Sequence, residues 1–393
     1  MTTRRHIAIA GAGIGGLTAA LALAARGMSV TVCERAPQLS EVGAGLQLAA
    51  NATGILRRLG LLDTIAARAV VPESLEVHSV ASSGAPLVTM PIGDGFARRY
   101  GAPYLVVHRA DLQRALLDAV NANPAIKLHL DTPVTDVETL AEGVRLVLSL
   151  TETLTADGLV GADGVRSAVR SKVLAGAPAL YSGNTAYRAT IPAAETPPEI
   201  RNKIGLWMSE KAHLVHYPLR GGEEINLVAV VRDPWVGEGW SHPAERAEVI
   251  ARLAEWPEPA ASLISAPSQW VKWALCGTSP DFTWTRDRVT LLGDACHPTL
   301  PFLAQGAAMS IEDAWVLAGE LAKPVSVPAA FKAYEQARKA RVVRILGEGA
   351  RNGKVYHLGG IAAHARDLGL KLLGPDRLAS RYDWLWSWQP AAA

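Results

Sequence analysis

The sequence has few cysteines, almost no net charge and no long apolar run. Its three cysteines, Cys33, Cys276 and Cys296, show no Cys-x-x-Cys spacing, which predicts a reducing, cytoplasmic compartment. The formal net charge is only +2, so charge favours neither a nucleic acid nor an anionic membrane as a partner. No apolar run reaches the ~18 residues of a membrane-spanning helix. No histidine and cysteine cluster has metal-site spacing, so no bound metal is expected.

Glycine, by contrast, is frequent, and three separated glycine-containing clusters stand out. They read GAGIGG at Gly11–Gly16, GADGVRS at Gly161–Ser167 and LLGDACHPTLPFLAQGA at Leu291–Ala307. One such cluster would indicate a nucleotide site. Three clusters spread over almost the whole chain indicate one large cofactor that distant segments of a single fold contact together.

The first cluster has the surroundings of a dinucleotide site. A predicted strand at His6–Ala10 precedes it, and an alanine- and leucine-rich helix at Leu17–Arg26 follows it. A second predicted strand, Ser29–Cys33, ends at Glu34, which lies 34 − 16 = 18 residues after Gly16. This order of strand, turn, helix, strand and acid predicts a dinucleotide-binding unit. The alternative is a glycine-rich turn in an unrelated α/β protein.

Each residue of that unit has a physical role. Gly11 permits the tight turn, Gly13 lets a pyrophosphate approach the backbone, and Gly16 lets the helix pack closely on the strand. The pyrophosphate then meets the free N–H groups at the helix start. Glu34 is expected to accept hydrogen bonds from the ribose hydroxyls.

The third cluster also stands where a ligand would bind. Asp294 follows a predicted strand at Val289–Leu292, and ligands of open α/β sheets bind at the carboxyl ends of strands. The segment Gln305-Gly306-Ala307 begins a helix predicted over Gly306–Ala322, whose first N–H groups could stabilise negative charge. The alternative for Asp294 is that it only caps a turn.

The chain as a whole predicts an α/β fold with a discontinuous Rossmann-like nucleotide-binding domain. That domain is predicted over residues 1–72, 100–174 and 276–345. A mostly antiparallel β-sheet domain for the substrate is inserted at residues 73–99 and 175–275, where short strands alternate with glycine, proline and charge clusters. C-terminal helices complete the fold: one is predicted at Val327–Gly347, and residues 346–393 form a helical tail.

With the three clusters in view, the chain resembles the single-component FAD-dependent aromatic hydroxylases over about Ile7 to Arg341. Salicylate hydroxylase, 3-hydroxybenzoate 6-hydroxylase and 6-hydroxynicotinate 3-monooxygenase represent this family. The resemblance implies bound FAD, a transient NADH or NADPH donor, dioxygen and a small hydroxylated aromatic acid of the hydroxybenzoate or salicylate type. It implies hydroxylation through a flavin hydroperoxide by a monomer or homodimer.

The resemblance also implies which residues contact the cofactor. In this family the first cluster holds the ADP half of FAD, the second serves FAD and the nicotinamide donor, and the third holds the ribityl chain and the flavin ring. Carried over by position, the cofactor contacts are Gly11, Gly13, Gly16, Glu34, Arg35, Gln47, Arg109, Asp163, Asp294, Gln305, Gly306 and Ala307. The alternative for Asp163 is a turn residue, and for Arg109 a solvated residue at a helix start.

The reaction site is predicted on the segment His213-Leu-Val-His216-Tyr217. On a strand, His213, Val215 and Tyr217 face one side, and the resemblance places a histidine and a tyrosine of this strand beside the substrate phenol. A base with a pKa near neutrality suits removal of the phenol proton, which favours His213 as the base. Tyr217 is expected to position the same oxygen. The alternative is that His213 is structural.

Substrate contacts are predicted at Arg188, Gln47 and Pro298. The alternatives for Arg188 are a contact with the flavin and a surface position on a strand. The segment Gly43-Ala-Gly45-Leu-Gln47 resembles a loop beside the flavin. A histidine occupies the Gln47 position in 6-hydroxynicotinate 3-monooxygenase, and this difference disfavours a hydroxypyridine substrate. His297 is expected to be structural.

Three other functions remain as alternatives. They are a hydroxypyridine-carboxylate monooxygenase, a flavin reductase or dehydrogenase on the same fold, and a flavin-fold binding protein without turnover.

The tail carries Trp384, Trp386 and Trp388 at alternate positions. The alternatives for these tryptophans are a dimer patch, a lid over the substrate domain and a tail packed on the protein's own core. The last of these is favoured.

Overall fold

The computed structural model describes residues 4–39, 45–82, 84–149, 151–235, 239–253, 256–279 and 282–390. Its helices are α1 (Ile14–Ala24), α2 (Ala50–Arg58), α3 (Leu62–Ala66), α4 (Asp94–Tyr100), α5 (Arg109–Asn121), α6 (Arg246–Arg252), α7 (Ala260–Ser265), α8 (Gly306–Ala322), α9 (Val327–Tyr356), α10 (Gly360–Ser380) and α11 (Asp383–Trp386). Within these ranges, no helix combines the length and the apolar character needed to cross a bilayer.

The strands fall into two large sheets and two small ones. They are β1 (His6–Ala10), β2 (Ser29–Cys33), β3 (Gly45–Leu48), β4 (Ser74–Ser79), β5 (Pro86–Pro91), β6 (Leu105–His108), β7 (Ile126–His129), β8 (Asp136–Leu140), β9 (Gly143–Val147), β10 (Thr153–Ala156), β11 (Gly158–Gly161), β12 (Leu180–Pro192), β13 (Lys203–Met208), β14 (Ala212–Leu219), β15 (Glu224–Arg232), β16 (Ser241–Ala244), β17 (Trp270–Gly277), β18 (Thr285–Arg286) and β19 (Val289–Leu291).

The first large sheet has the order β18-β19-β11-β1-β2-β7 and is parallel except for β18. Strands β1, β2 and β11 are short and apolar and are almost entirely buried, as a parallel sheet covered on both faces requires. Because the parallel strands run in one direction, their carboxyl ends lie at one edge. Gly11, Glu34, Asp163 and Asp294 follow β1, β2, β11 and β19, so the sheet gathers all three clusters at that edge.

Two glycines of the first cluster are required by the packing itself. Gly11 has a positive φ of 105°, a conformation that glycine adopts without the strain of a side chain. A Cβ on Gly16 would lie 2.0 Å from the carbonyl oxygen of Gly11. The predicted close approach of α1 to the turn after β1 is therefore present.

The second large sheet has the order β16-β17-β12-β15-β14-β13-β4-β5. All of its strand pairs are antiparallel except β13 with β4, which is parallel. Through this pair, β4 and β5, which precede residue 100, join strands that begin at residue 180 or later. Strand β14, which carries His213 and Tyr217, lies inside this sheet between β13 and β15. The predicted α/β class with a mostly antiparallel second sheet and C-terminal helices is confirmed.

The end predicted for helix α9 is wrong. The helix continues past Gly347, where its end was predicted, to Tyr356. Gly353 is buried, and a Cβ there would lie 2.8 Å from Cε2 of Phe302. Close packing of Phe302 against the helix therefore offsets the low helix propensity of this glycine. The helix also runs through the boundary predicted between 345 and 346, and the domain division stays a prediction.

The C-terminal tail packs on its own chain. Trp386 is buried, and its ring centroid lies 5.3 Å from that of Phe96 and 5.6 Å from that of Tyr100. The guanidinium of Arg344 lies 3.7 Å from the ring centroid of Trp384. These contacts confirm the interpretation of the tryptophans as part of the protein's own core.

Candidate active site

A cavity of about 250 Å³ lies at the edge where the three clusters meet. Its walls come from the turns after β1 and β11, from β3, β12, β14 and β15, from the start of α5 and from the segment between β19 and the first turns of α8. The predicted site residues that line it are Gly13, Gln47, Arg109, Arg188, His213, Tyr217, Asp294, Gln305, Gly306 and Ala307. The fold thus brings predicted site residues from six separate segments of the chain to one cavity.

Two helices begin at this cavity without a side-chain cap. Gly13 precedes α1 and Gln305 precedes α8, and neither helix start has a side-chain cap hydrogen bond. The first N–H groups of a helix have no partner within the helix, so both starts offer donors to a negatively charged group. A Cβ on Gly13 would have no atom within 4 Å, so this glycine leaves open space at the backbone. These features fit the pyrophosphate and the flavin ring of FAD.

Glu34 links the end of β2 to the glycine-rich turn. Its Oε2 accepts a hydrogen bond of 2.7 Å from the Ala12 N–H, and its Oε1 accepts one of 2.9 Å from the Ala36 N–H. The side chain is only partly buried, and a carboxylate oxygen can accept more than one hydrogen bond. The carboxylate therefore fixes the turn and retains capacity for ribose hydroxyls.

Glu34→Ala is expected to weaken FAD binding roughly ten- to hundredfold, because charge-assisted hydrogen bonds contribute about 1.5–3 kcal/mol. Titration of the apoprotein with FAD measures the change. Glu34→Gln keeps one acceptor oxygen and should lose less affinity. Glu142→Ala removes an exposed carboxylate and serves as the control. An unchanged dissociation constant in Glu34→Ala would refute the role of Glu34.

The two aspartates of the second and third clusters differ in their surroundings. Oδ2 of Asp163 accepts hydrogen bonds from the N–H groups of Ala168 (2.7 Å) and Val169 (3.1 Å), as the turn interpretation expects. Its Oδ1 is buried without a hydrogen-bond partner, next to two residues that line the cavity, Ala162 and Gly164. Asp294 is exposed at the cavity itself. Both carboxylates thus have an oxygen available for a polar ligand.

Gln305 is held in place by Asn51, a residue that the sequence analysis did not identify. Its Oε1 accepts a hydrogen bond of 3.0 Å from Nδ2 of Asn51, which also donates to Oε1 of Glu312 at 2.6 Å. Asn51 lies on α2, 254 residues from Gln305 in the sequence. On the other side of the cavity, Oε1 of Gln47 accepts a hydrogen bond of 2.8 Å from the Tyr104 hydroxyl.

Six predicted site residues are not among those that line the cavity, namely Gly11, Gly16, Glu34, Arg35, Asp163 and Pro298. Of these, Arg35 is exposed and Pro298 is buried. Thr299 and Pro301 take the place expected for Pro298. Of the segment from Gly43 to Gln47, residues 43 and 44 lie outside the described residues, and residues 45 to 47 belong to β3.

A second cavity, of about 180 Å³, adjoins the first. Its walls come mainly from apolar side chains of β4, β13 and β14 and from the helices α9, α10 and α11. Five residues line both cavities, namely Gln47, His213, Val215, Pro301 and Ala304. His213 is the histidine among them, so it stands where the more polar cofactor cavity meets a more apolar one.

His213 is 1% exposed, and its Nδ1 lies 3.0 Å from Nε2 of His357 in a hydrogen bond. Burial, and next the neighbouring His357, lower the pKa of His213 to about 3. The expectation of a pKa near neutrality is therefore wrong, because an imidazolium in this apolar place loses its hydration. The ring is neutral at neutral pH and can accept a proton, although it holds one weakly.

Tyr217 and Arg188 complete the polar side of the cavity. The Tyr217 hydroxyl donates a hydrogen bond of 2.8 Å to the carbonyl oxygen of Gly45, and burial raises the pKa of Tyr217. Burial lowers the pKa of Arg188, whose Nε has no hydrogen-bond partner. A desolvated guanidinium of this kind is matched best by a carboxylate.

His297 belongs to a buried ionic network. Its Nε2 lies 2.5 Å from Oδ2 of Asp313, and Oδ1 of Asp313 accepts a hydrogen bond of 2.7 Å from Nε of Arg338. His297 and Arg338 overcome the effect of burial and lower the pKa of Asp313 to about 2. These contacts agree with the structural role expected for His297.

Comparison with known proteins adds to this geometry. A model of the family described as an FAD binding domain matches residues 4–348. 3-Hydroxybenzoate 6-hydroxylase 1 of Aquipseudomonas alcaligenes is 37% identical over 382 residues, which are 97% of this chain and 96% of the relative. 6-Hydroxynicotinate 3-monooxygenase of Bordetella bronchiseptica is 36% identical over 354 residues, 88% of this chain and 90% of the relative. The solved structure of a salicylate hydroxylase with its substrate superposes with a TM-score of 0.84 at 25% identity, over 100% of both chains.

Proposed function

The chain belongs to the FAD binding domain family and is an FAD-dependent aromatic monooxygenase, and we propose that it hydroxylates a hydroxybenzoate- or salicylate-type acid. The resemblance drawn from the three clusters is thereby confirmed. The observation that carries the choice of substrate is the position of His213 between a more polar cavity and a more apolar one. A phenol ring fits the apolar side, and its oxygen then meets the imidazole.

FAD, when bound, takes electrons from NADH or NADPH and activates dioxygen. In the overall reaction, NAD(P)H, a proton, dioxygen and the aromatic compound give NAD(P)⁺, water and the hydroxylated product. The chain holds the cofactor with the turn after β1, with Glu34, and with the uncapped start of α8. Arg109 and Asp294 line the same cavity and are proposed as further contacts.

The protein's own part in the chemistry is to prepare the ring. His213 accepts the phenol proton at its Nε2, since its Nδ1 is occupied by His357. A phenolate ring is richer in electrons than a phenol and reacts faster with an electrophilic oxygen. Tyr217 is proposed to position the phenol oxygen through the lone pair that its bond to Gly45 leaves free.

The carboxylate of the substrate is proposed to bind Arg188. The guanidinium lines the cavity, and Trp273 lies beside it at 5.8 Å from the ring centroid. An anion would compensate the loss of hydration that lowers the pKa of this arginine. The state of assembly, monomer or homodimer, and the cytoplasmic location stay predictions.

An oxygen-electrode screen with NADH and with NADPH tests the function. Hydroxybenzoates should stimulate oxygen uptake and give a product that is heavier by one oxygen atom, whereas the matching phenols without a carboxylate should bind weakly. Turnover of hydroxypyridine carboxylates alone would favour that class of substrate. NAD(P)H oxidation without any oxygenated product would point to a reductase or dehydrogenase, and protein that cannot be loaded with FAD would contradict both.

A further inference from the structure

We propose that His357 is the outlet through which the phenol proton leaves the active site, passed on by His213. This inference rests on the proposed function, since it concerns the same proton. It assigns a positioning and proton-transfer role to the residue that directly follows helix α9 and that does not line the cofactor cavity. The contact that carries it is the 3.0 Å separation between Nδ1 of His213 and Nε2 of His357.

His213 needs such an outlet because it has almost no contact with solvent. It is 1% exposed, whereas His357 keeps 8% of its surface accessible. The rings of Phe302 and Tyr356 lie beside His213, each with its centroid 5.4 Å away. A proton that reaches His213 therefore has His357 as its polar neighbour and apolar rings around it.

The charges around His357 favour onward transfer over storage of the proton. Burial, then Arg232 and Arg366, lower the pKa of His357 to about 4. Arg232 ends β15, and Arg366 of α10 donates hydrogen bonds of 3.1 Å to the carbonyl oxygens of Val355 and Tyr356. The carboxyl group of Glu210 lies close to Gly359, two residues after His357. Two cations thus disfavour an imidazolium, and an exposed carboxylate lies close by.

The transfer can be written with every atom in place. The phenol O–H bond breaks and its proton bonds to Nε2 of His213. The proton on Nδ1 of His213 moves to Nε2 of His357, and the proton on Nδ1 of His357 passes to water. No electron changes hands, and each ring ends neutral with its proton on the other nitrogen. The reverse sequence reprotonates the product and restores both rings.

The test compares His357→Gln with the wild-type holoenzyme, with 3-hydroxybenzoate as the probe. Glutamine can still hydrogen-bond to Nδ1 of His213, but it cannot pass a proton on. A pH-indicator dye in weakly buffered solution should report release of a proton to solvent when the probe binds. We expect that release to slow by about 10²-fold in His357→Gln, at the low end of what a placed proton-transfer group contributes.

Rescue by imidazole separates this role from a structural one. The deficit of His357→Gln should shrink as pH rises toward the pKa of a free phenol, about 10, because the probe then arrives deprotonated. A variant that only misplaces His213 would also regain rate at high pH, so rescue by an added base is what distinguishes the two roles. Imidazole added to His357→Ala should restore part of the rate. His364→Gln, which replaces an exposed histidine on α10, is the matched control and should behave as wild type.

The outcomes are distinct. Wild-type proton release and wild-type product per NAD(P)H in a folded, FAD-loaded His357→Gln would overturn the outlet. A deficit that added imidazole does not relieve in the alanine variant would overturn it as well. If the wild type itself neither releases a proton nor oxygenates any hydroxybenzoate, the proposed function fails instead.

Discussion

Gly306→Val is expected to lower FAD affinity about 100-fold or more while the protein stays folded. Gly306 is the first residue of α8 and lines the cofactor cavity. A Cβ there would meet only Cγ2 of Thr299, at 3.4 Å, which is ordinary contact. The chain therefore has room for the side chain, but the cofactor does not, and overpacking costs about 1–3 kcal/mol or more.

The measurements are the flavin content of the purified protein and a titration of the apoprotein with FAD. Gly319→Val is the matched control, because it makes the same substitution in the same helix at a position where a Cβ would have no atom within 4 Å and which does not line the cavity. It should bind FAD normally. Full flavin content and normal turnover in Gly306→Val would mean that the third cluster has only a structural role.

The edge of the first sheet shows how far the sequence alone could predict this site. The clusters follow β1, β11 and β19, and the rule that parallel strands end at one edge is enough to bring Gly11, Asp163 and Asp294 together. The alternation of side chains on β14 likewise placed His213 and Tyr217 on one face, and both line the cavity. Local pattern and a general rule of topology sufficed in each case.

The parts that could not be predicted depend on contacts between distant segments. His357 lies 144 residues from His213, beyond Gly347, where α9 was expected to end. The pKa of His213 depends on how completely other elements exclude water from it. Asn51 meets Gln305 only because α2 packs near α8. No pattern within a short stretch of sequence carries this information.

His213→Ala is expected to reduce the rate of hydroxylation by ~10²–10⁴, the contribution of a placed proton acceptor. The neutral form of His213 is the one that accepts the phenol proton. Because the pKa of His213 is lowered to about 3, that form is present throughout the range from pH 5 to 9. Protonation of His213 should therefore not lower the wild-type rate of hydroxylation near pH 6.5. A fall in rate caused by this protonation would begin only near pH 3.

The substitution should separate electron transfer from oxygenation. Reduction of the cofactor by NAD(P)H depends less on the phenolate than hydroxylation of the ring does. NAD(P)H oxidation should therefore survive better than product formation. Dioxygen reduced without hydroxylation appears as hydrogen peroxide. Hydroxylation in His213→Ala should recover as pH rises toward about 10, the pKa of a free phenol, because solvent then removes the proton that His213 removes in the wild type.

The control lies on the same strand. His216 is as buried as His213, and burial lowers its pKa to about 3 as well. Its Nδ1 accepts a hydrogen bond of 3.3 Å from Nε1 of Trp207, and it does not line either cavity. His216→Gln should therefore keep the wild-type ratio of product to NAD(P)H even if it lowers stability. The decisive quantity is that ratio across pH in His213→Ala: a ratio and profile equal to those of the wild type would make His213 structural, and Tyr217 would become the first candidate for the base.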